Sequence, residues 1–418
     1  MTNPFSNLNL PYSGRLQIRV SGAPGFLPIK SAHVFLSLTS IPDNTFEEVQ
    51  TDASGITEFF SLPAPFPENS QTITFSQPYS LYNARIEAEG YQTLLITGIQ
   101  ILPNQDSILP VTLFPYQSPI AQNDIVISAH TLFGNYPAKI PESEFKPMED
   151  TGQIVLNSVV IPETIVVHDG APSDNTATNY YVPYKDYIKN VASSEVYATW
   201  PESTIYANIL AIMSFTLNRV YTEWYRSKGY SFTITSSTAY DQKWMYGRNI
   251  YENISQAVDS IFSNYLVRPG RKQPLFASYC DGSKVSCSGL SQWGSKTLGE
   301  EGYSAIEILR YYYGNDLNIA TATTINGIPA SYPGSPLSIG SSGSKVSQLQ
   351  EQLNRISQNY PAIPKLTVDG AYGPATAGSI RVFQQVFNLP VTGVTDFATW
   401  YRLSDIYVGV SKLSEPGR

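Results

Sequence analysis

Histidine and cysteine are scarce in this 418-residue chain. It has three of the first (His33, His130, His168) and two of the second (Cys280, Cys287). Metal centres built from imidazole and thiolate are starved of ligands, since a structural zinc takes four such groups. At most one disulfide is available, so disulfides cannot carry the fold. Charge is thin as well: 14% of residues are Asp, Glu, Lys or Arg, against roughly 25% in an average globular protein. With 26 basic and 34 acidic residues the net charge is −8. That excludes the basic footprint of a nucleic-acid binder and speaks equally against a surface that clings to anionic lipid. No run approaches the roughly 20 apolar residues that cross a bilayer. The opening MTNPFSNLNLPYSGR holds no apolar core of signal-peptide length. We expect a soluble chain that is not exported by the N-terminal signal route.

What is present is apolar and aromatic: 42% hydrophobic residues and 29 Tyr beside 18 Phe and 5 Trp. Tyrosine combines contact area with a polar tip, which suits polar polymers as well as cores. The length predicts two to four domains at roughly 100–200 residues each. Residues 1–116 read as an all-β sandwich. Leu16, Ile18 and Val20 alternate with polar residues, as do Val34, Leu36 and Leu38, and a turn at Asp52-Ala53-Ser54-Gly55 leads to Phe60 and Leu62. Period-two alternation with frequent Gly and Pro is the mark of short antiparallel strands. Residues 117–160, with Pro119, Pro137, Pro141 and Pro147 and acids at 142, 144, 149 and 150, read as a connector open to proteolytic nicking.

Residues 161–327 read as a middle α+β domain. Helices are expected over 184–196, 202–226, 254–265 and 305–313, the second opened by a capping box at Thr199-Trp200-Pro201-Glu202. In the first helix Ile188, Val191, Ala192 and Glu195 fall at i, i+3, i+4 and i+7. Glu195 is thus expected on the apolar face, where poor hydration disfavours the charged form. An acid kept protonated near neutral pH suits glycosidic cleavage. An ion pair with a buried base, or a helix-end Glu turned to water, fits the same spacing. Residues 337–407 read as a small separate unit of three helices. Val346, Leu349, Leu353 and Ile356 share one helix face, and Ile380, Phe383 and Phe387 lie on a second helix.

Several segments resemble known families. The leader's pattern resembles transthyretin-like, carboxypeptidase-regulatory-like modules, which implies packing rather than catalysis. Leu337-Ser338-Ile339-Gly340 and the loop Val368-Asp369-Gly370-Ala371-Tyr372-Gly373-Pro374-Ala375-Thr376 resemble the three-helix peptidoglycan-binding module, which implies anchoring to cell wall. Tyr187 to Glu195, then Trp200-Pro201-Glu202, then Gly289-Leu290-Ser291-Gln292-Trp293-Gly294 and Gly302-Tyr303 resemble the stage II sporulation protein D family of lytic transglycosylases. That resemblance places the catalytic acid at Glu195. It makes Thr238, Tyr240, Ser291 and Gln292 candidates to hydrogen-bond the sugars. Asp241 is a candidate partner carboxylate or an ordinary turn residue, and Trp293 is core or stacking platform.

Ile165-Val166-Val167-His168-Asp169-Gly170, Phe215-Thr216-Leu217-Asn218-Arg219-Val220, Thr222-Glu223-Trp224-Tyr225-Arg226 and Ile234-Thr235-Ser236-Ser237-Thr238-Ala239-Tyr240-Asp241, with the order of leader, connector, middle domain and wall-binding tail, resemble clostridial spore-cortex-lytic enzymes almost end to end. The similarity implies cortex peptidoglycan as substrate, a location in the cortex and coat region of the spore, and synthesis as a zymogen. A subtilisin-like germination protease would remove the leader within the connector, at Gln122–Asn123 or else at Gln153–Ile154. No nucleic-acid or membrane partner and no cofactor is expected. The Cys/His cluster that holds zinc in some relatives is missing from 235–240. Cys280 and Cys287 are either a local loop disulfide or two thiols. Two rival readings are an amidase cutting the muramoyl–alanine bond and a non-catalytic wall-binding protein of the spore coat.

Overall fold

The computed structural model describes residues 10–412, apart from 24, 74–75, 135, 145, 147–157 and 327–331. The alternating N-terminal segments form two five-stranded sheets. One has Tyr12–Gly22 paired with Leu27–Pro28 and Phe60–Ala64 and, in parallel, with Asp106–Leu113. The other runs Ile41–Gln50, His33–Leu38, Ser80–Glu87, Leu94–Ile101. Their inward residues, among them Leu16, Ile18, Val34, Leu36, Ala84, Ile86 and Ile96, are wholly buried in one shared core.

Each sheet borrows its fifth strand from beyond residue 116. Ile125–Val126 of the connector lies parallel to Leu94–Ile101, at Ile96 and Thr97. Ile250–Tyr251 of the middle region pairs with Ile108 and Ser107. The leader is therefore docked by main-chain pairing, the way an added strand fills a sheet edge. Side chains reinforce the joint: Asn249 donates to the Gln100 carbonyl at 2.8 Å, and Trp200 Nε1 donates to the Ser70 carbonyl at 2.8 Å. The connector is not a featureless spacer. From His130 it continues over the middle region as a strap, residues 130–134, 136–144 and 146.

The middle region is mixed. Helices α1 (Tyr184–Glu195), α2 (Glu202–Tyr221), α3 (Glu252–Ile261), α4 (Gln292–Glu300) and α5 (Ala305–Tyr313) surround short two- and three-stranded sheets. Helix α2 is buried nearly all round, with sixteen residues covered, as befits a central helix packed by α1, α4 and α5. The structure corrects three expectations. Helix α2 stops at Tyr221, since Glu223 adopts φ +47° and breaks the run. The helix expected over 254–265 ends at Ile261, and Asn264–Val267 forms a strand with Asn318–Thr321. No capping box opens α2: its N-cap is Pro201, and Thr199 instead bonds Ser70 of the leader at 2.8 Å. The box occurs at Ser304 and Glu307, at the start of α5.

The C-terminal helices are α6 (Ser344–Ile356), α7 (Pro374–Val386) and α8 (Phe397–Lys412). Two buried glutamines shape the loops. Gln350 accepts from the N–H groups of Asp369 (3.1 Å) and Gly370 (2.9 Å) and donates to Asp369 Oδ1 at 2.8 Å. Gln384 does the same for Thr392 and Gly393. Both glycines have positive φ, +69° and +72°, where a side chain would strain the turn. This unit is not separate from the rest. Phe397 and Tyr401 of α8 pack on Phe262 after α3, with centroids 5.3 and 5.2 Å apart, and Asp405 pairs with Lys185 of α1.

Candidate active site

Helix α1 buries Ile188, Val191 and Ala192 completely, then ends where Val196 turns to extended backbone (φ −139°, ψ 137°). Glu195 is its last residue, half-buried at the helix end. The setting is more polar than the spacing suggested, because three donors meet the carboxylate at the helix end. Oε1 accepts from the Lys243 backbone N–H at 2.7 Å and lies 3.5 Å from the Tyr279 hydroxyl. Oε2 accepts from the Gln292 amide at 2.9 Å, and the same amide donates to the Glu195 carbonyl at 2.9 Å. Burial, reinforced by the charge of Glu195, pushes the Tyr279 phenol well above its ordinary range. It therefore remains a donor. All three donors belong to the middle region.

One wall of the cleft is a loop with built-in rigidity. Tyr279–Cys280 runs parallel to Leu290–Ser291, and Cys280 and Cys287 form a disulfide. Asp281 Oδ1 accepts from the N–H groups of Ser283 (2.9 Å), Lys284 (3.1 Å) and Val285 (2.8 Å). At Gly282 (φ +73°) a Cβ would stand 1.8 Å from Ser291 Oγ, so the position admits only glycine.

The roof is the strap. His130, Thr131, Leu132, Tyr136, Pro137 and Lys139 close over Glu195, Thr238, Tyr279 and Gln292 and leave a cavity of about 50 Å³. That admits a few water molecules and no sugar ring. The anchors are specific. His130 Nε2 donates to the Ser194 carbonyl at 2.8 Å. Leu132 N–H donates to Tyr197 Oη at 3.1 Å and its carbonyl accepts from Trp293 Nε1 at 3.1 Å. Lys139 Nζ donates to the Asp241 carbonyl at 2.6 Å, and Glu144 takes Arg268 Nε at 2.8 Å. Burial pulls the His130 imidazole down to about 4, with Arg248 adding to the shift, and pushes the Tyr136 phenol up to about 12.

Of the residues singled out from sequence, Thr238 and Gln292 meet Glu195 in the cleft. Gln292 is committed to holding the carboxylate, which differs from the expected sugar contact. Three others lie elsewhere. Ser291 caps α4, accepting from Gly294 N at 2.9 Å. Tyr240 offers its carbonyl to Arg219 at 3.1 Å. Asp241 is sealed from solvent: Arg219 Nε binds Oδ1 at 2.7 Å, and Oδ2 accepts from Tyr225 Oη, Thr235 N and Thr235 Oγ1 at 2.7, 2.9 and 2.7 Å. With its acceptor sites filled it is no partner carboxylate. Trp293 is core, its ring 5.0 Å from that of Trp200. Sequence reasoning missed Tyr279, Lys243 and the strap. Tyr279 is one tyrosine among 29, and a backbone N–H leaves no trace in composition.

The connector candidate Gln122–Asn123 is bound to the leader: Gln122 N–H donates to Gln92 Oε1 at 2.9 Å, and its Oε1 accepts from Phe114 N at 2.7 Å. Gln153–Ile154 lies outside the described residues. His168 sits at a strand end, with Nδ1 2.8 Å from Asn179 Oδ1 and Nε2 3.2 Å from the Ala171 carbonyl. Among the described residues no three His, Cys, Asp or Glu side chains converge to hold a metal ion.

A family model described as a peptidoglycan binding domain matches residues 342–403, the span of α6, α7 and the start of α8. The chain carries a peptidoglycan-binding domain at its C-terminal end, which supports a cell-wall-associated role. No curated protein matches it. Among solved structures, the Bacillus anthracis TIE protein is 16% identical with a TM-score of 0.18, over 25% of this chain and 17% of that one. GBS52, the minor pilin of the Gram-positive pathogen Streptococcus agalactiae, is 15% identical with a TM-score of 0.19, over 27% and 48%. The chain spans less than half the length of either, and similarity this slight carries no argument.

Proposed function

We propose that the chain is a latent lytic transglycosylase of spore-cortex peptidoglycan, with Glu195 as its single acid–base group. The observation that supports this reading is the setting of Glu195. Its carboxyl is fixed through both oxygens by middle-region donors at the floor of a cleft. The wall-binding domain would deliver that cleft to glycan.

In the reaction Glu195, in its acid form, gives its proton to the oxygen linking N-acetylmuramic acid to N-acetylglucosamine. The bond from that oxygen to the muramic C1 breaks as oxocarbenium character develops. The muramic C6 hydroxyl then attacks C1, and the Glu195 carboxylate takes its proton, restoring the acid and closing a 1,6-anhydro ring. The nucleophile is intramolecular and already near, so one carboxyl serves both steps. The second carboxylate of hydrolytic glycosidases is not required. Gln292, Tyr279 and the Lys243 N–H keep the group aimed through both halves of the cycle.

Latency has a direct physical reading. The strap fills the cleft, and the leader holds one end of the strap by adding Ile125–Val126 to its sheet. Proteolysis in the connector by a subtilisin-like germination protease would release it. Mass spectrometry of cortex fragments tests the reaction: anhydromuramic ends support it, whereas freed stem peptides point to the amidase chemistry.

A further inference from the structure

The strap's last charged pair fills a pocket of its own. Glu142 and Lys146 form an ion pair in which the side chains are 10% and 1% exposed. Arg219, with no exposed side-chain surface, grips the Glu142 carboxylate with both terminal nitrogens, Nη1 to Oε2 at 2.7 Å and Nη2 to Oε1 at 2.6 Å. The Lys146 ammonium lies 3.7 Å from the centre of the Phe276 ring and 4.4 Å from that of Trp224.

A carboxylate and an ammonium in mutual contact are the polar head of a free α-amino acid, carried there on one carbon and here by two side chains. The receptor matches each half. A guanidinium fork selects a planar carboxylate, and an aromatic face takes a cation. The fork is fixed without help from the strap, because Asp241 holds Arg219 Nε at 2.7 Å and is itself bound by Tyr225 and Thr235. Filling such a pocket with charge carries a desolvation cost that an apolar plug would avoid. A receptor built for a charged ligand accounts for it. The pocket also adjoins the Glu195 cleft. Lys139 spans the two, donating to the Asp241 carbonyl at 2.6 Å and lying 5.1 Å over the Tyr279 ring.

We infer that Arg219, Trp224 and Phe276 form a subsite for an α-amino-acid zwitterion, which Glu142 and Lys146 occupy as a stand-in. In peptidoglycan that head group is the free end of a diamino-dicarboxylic acid in a stem peptide. The choice of that ligand rests on the proposed function; the receptor chemistry does not.

The test uses the full chain carrying Glu142→Ala and Lys146→Ala, which vacates the receptor and leaves its walls intact. The probes are free meso-diaminopimelate, glutarate (carboxylates alone) and cadaverine (amines alone), read by calorimetry and thermal unfolding. Meso-diaminopimelate is expected to bind the double variant at least about tenfold more tightly than either other probe, to raise its melting temperature, and to leave the unsubstituted chain unmoved. Equal binding of all three, or none, overturns the inference. If the double variant does not fold, Glu142→Ala alone vacates only the fork, with Lys146 still on Phe276. Acetate is then expected to stabilise the variant and cadaverine to do nothing, and the opposite ranking or no effect overturns the inference. Binding is read without turnover. Capture of diaminopimelate by a chain that releases no anhydromuramic ends would remove the proposed reaction and leave the subsite standing.

Discussion

His130 donates its Nε2–H to the carbonyl of Ser194 across 2.8 Å, which fastens the roof of the cleft one residue from Glu195. The contact can sense pH. Burial holds the imidazole down to about 4, against about 6.5 when it is free. A depressed histidine favours the docked strap fully above about 6.5, and the contribution is lost as pH falls from there toward 4. The melting temperature of the full chain should decline over that window. His130→Gln should flatten the decline, and an equally steep fall in the variant would count against the contact.

The position of the cut should decide activity. A cut at Gln122–Asn123 leaves Ile125–Val126 in the leader's sheet and His130, Leu132, Tyr136 and Lys139 over the cleft. A cut at Gln153–Ile154 severs the strap from the middle region. We expect full chains with an engineered protease site to stay latent after the first cut and to digest cortex after the second. Equal activity would show that the strap does not gate the cleft.

Gln292 fixes Glu195 from two sides, at its carbonyl and at Oε2. Gln292→Ala should lower kcat on cortex by about 10- to 100-fold, since misplacing a catalytic group by an ångström is worth that much. Stability should fall by about 2–4 kcal/mol, for one neutral hydrogen bond and one to a charged group. A change in KM alone would return Gln292 to a sugar-binding role.

In the wall-binding domain, Gln350→Ala strands the buried N–H of Gly370 and leaves that of the exposed Asp369 to water. An unsatisfied buried donor costs about 1–3 kcal/mol. The variant should unfold α6–α7 more readily and sediment less with purified peptidoglycan. Unchanged sedimentation with lowered stability would separate the loop from binding.

The elements that proved legible were those set by local pattern. Period-two alternation at Leu16, Ile18 and Val20 marks a real strand, and Val346, Leu349 and Leu353 mark a real helix, because burial on one face imprints a period. What the sequence hid was assembly between distant segments. Nothing in Ile250-Tyr251 announces that it closes the leader's sheet, since two residues carry no period. Asp241 reads as a turn residue beside a cleft until Arg219, 22 positions earlier, is seen to claim it. The Glu195 helix was readable to its last turn, but its donors come from residues 243, 279 and 292, and such separations leave no trace in a single chain.

The most direct measurement compares the fragments released from cortex by the chain cut at Gln153–Ile154 with those released by its Glu195→Gln form, by mass spectrometry. We expect 1,6-anhydromuramic ends from the first and a loss of about 10²–10⁴-fold in the second, the usual share of general acid–base catalysis, with the fold retained. Reducing or freed-peptide ends, or undiminished release by the Glu195→Gln form, would contradict the proposed reaction.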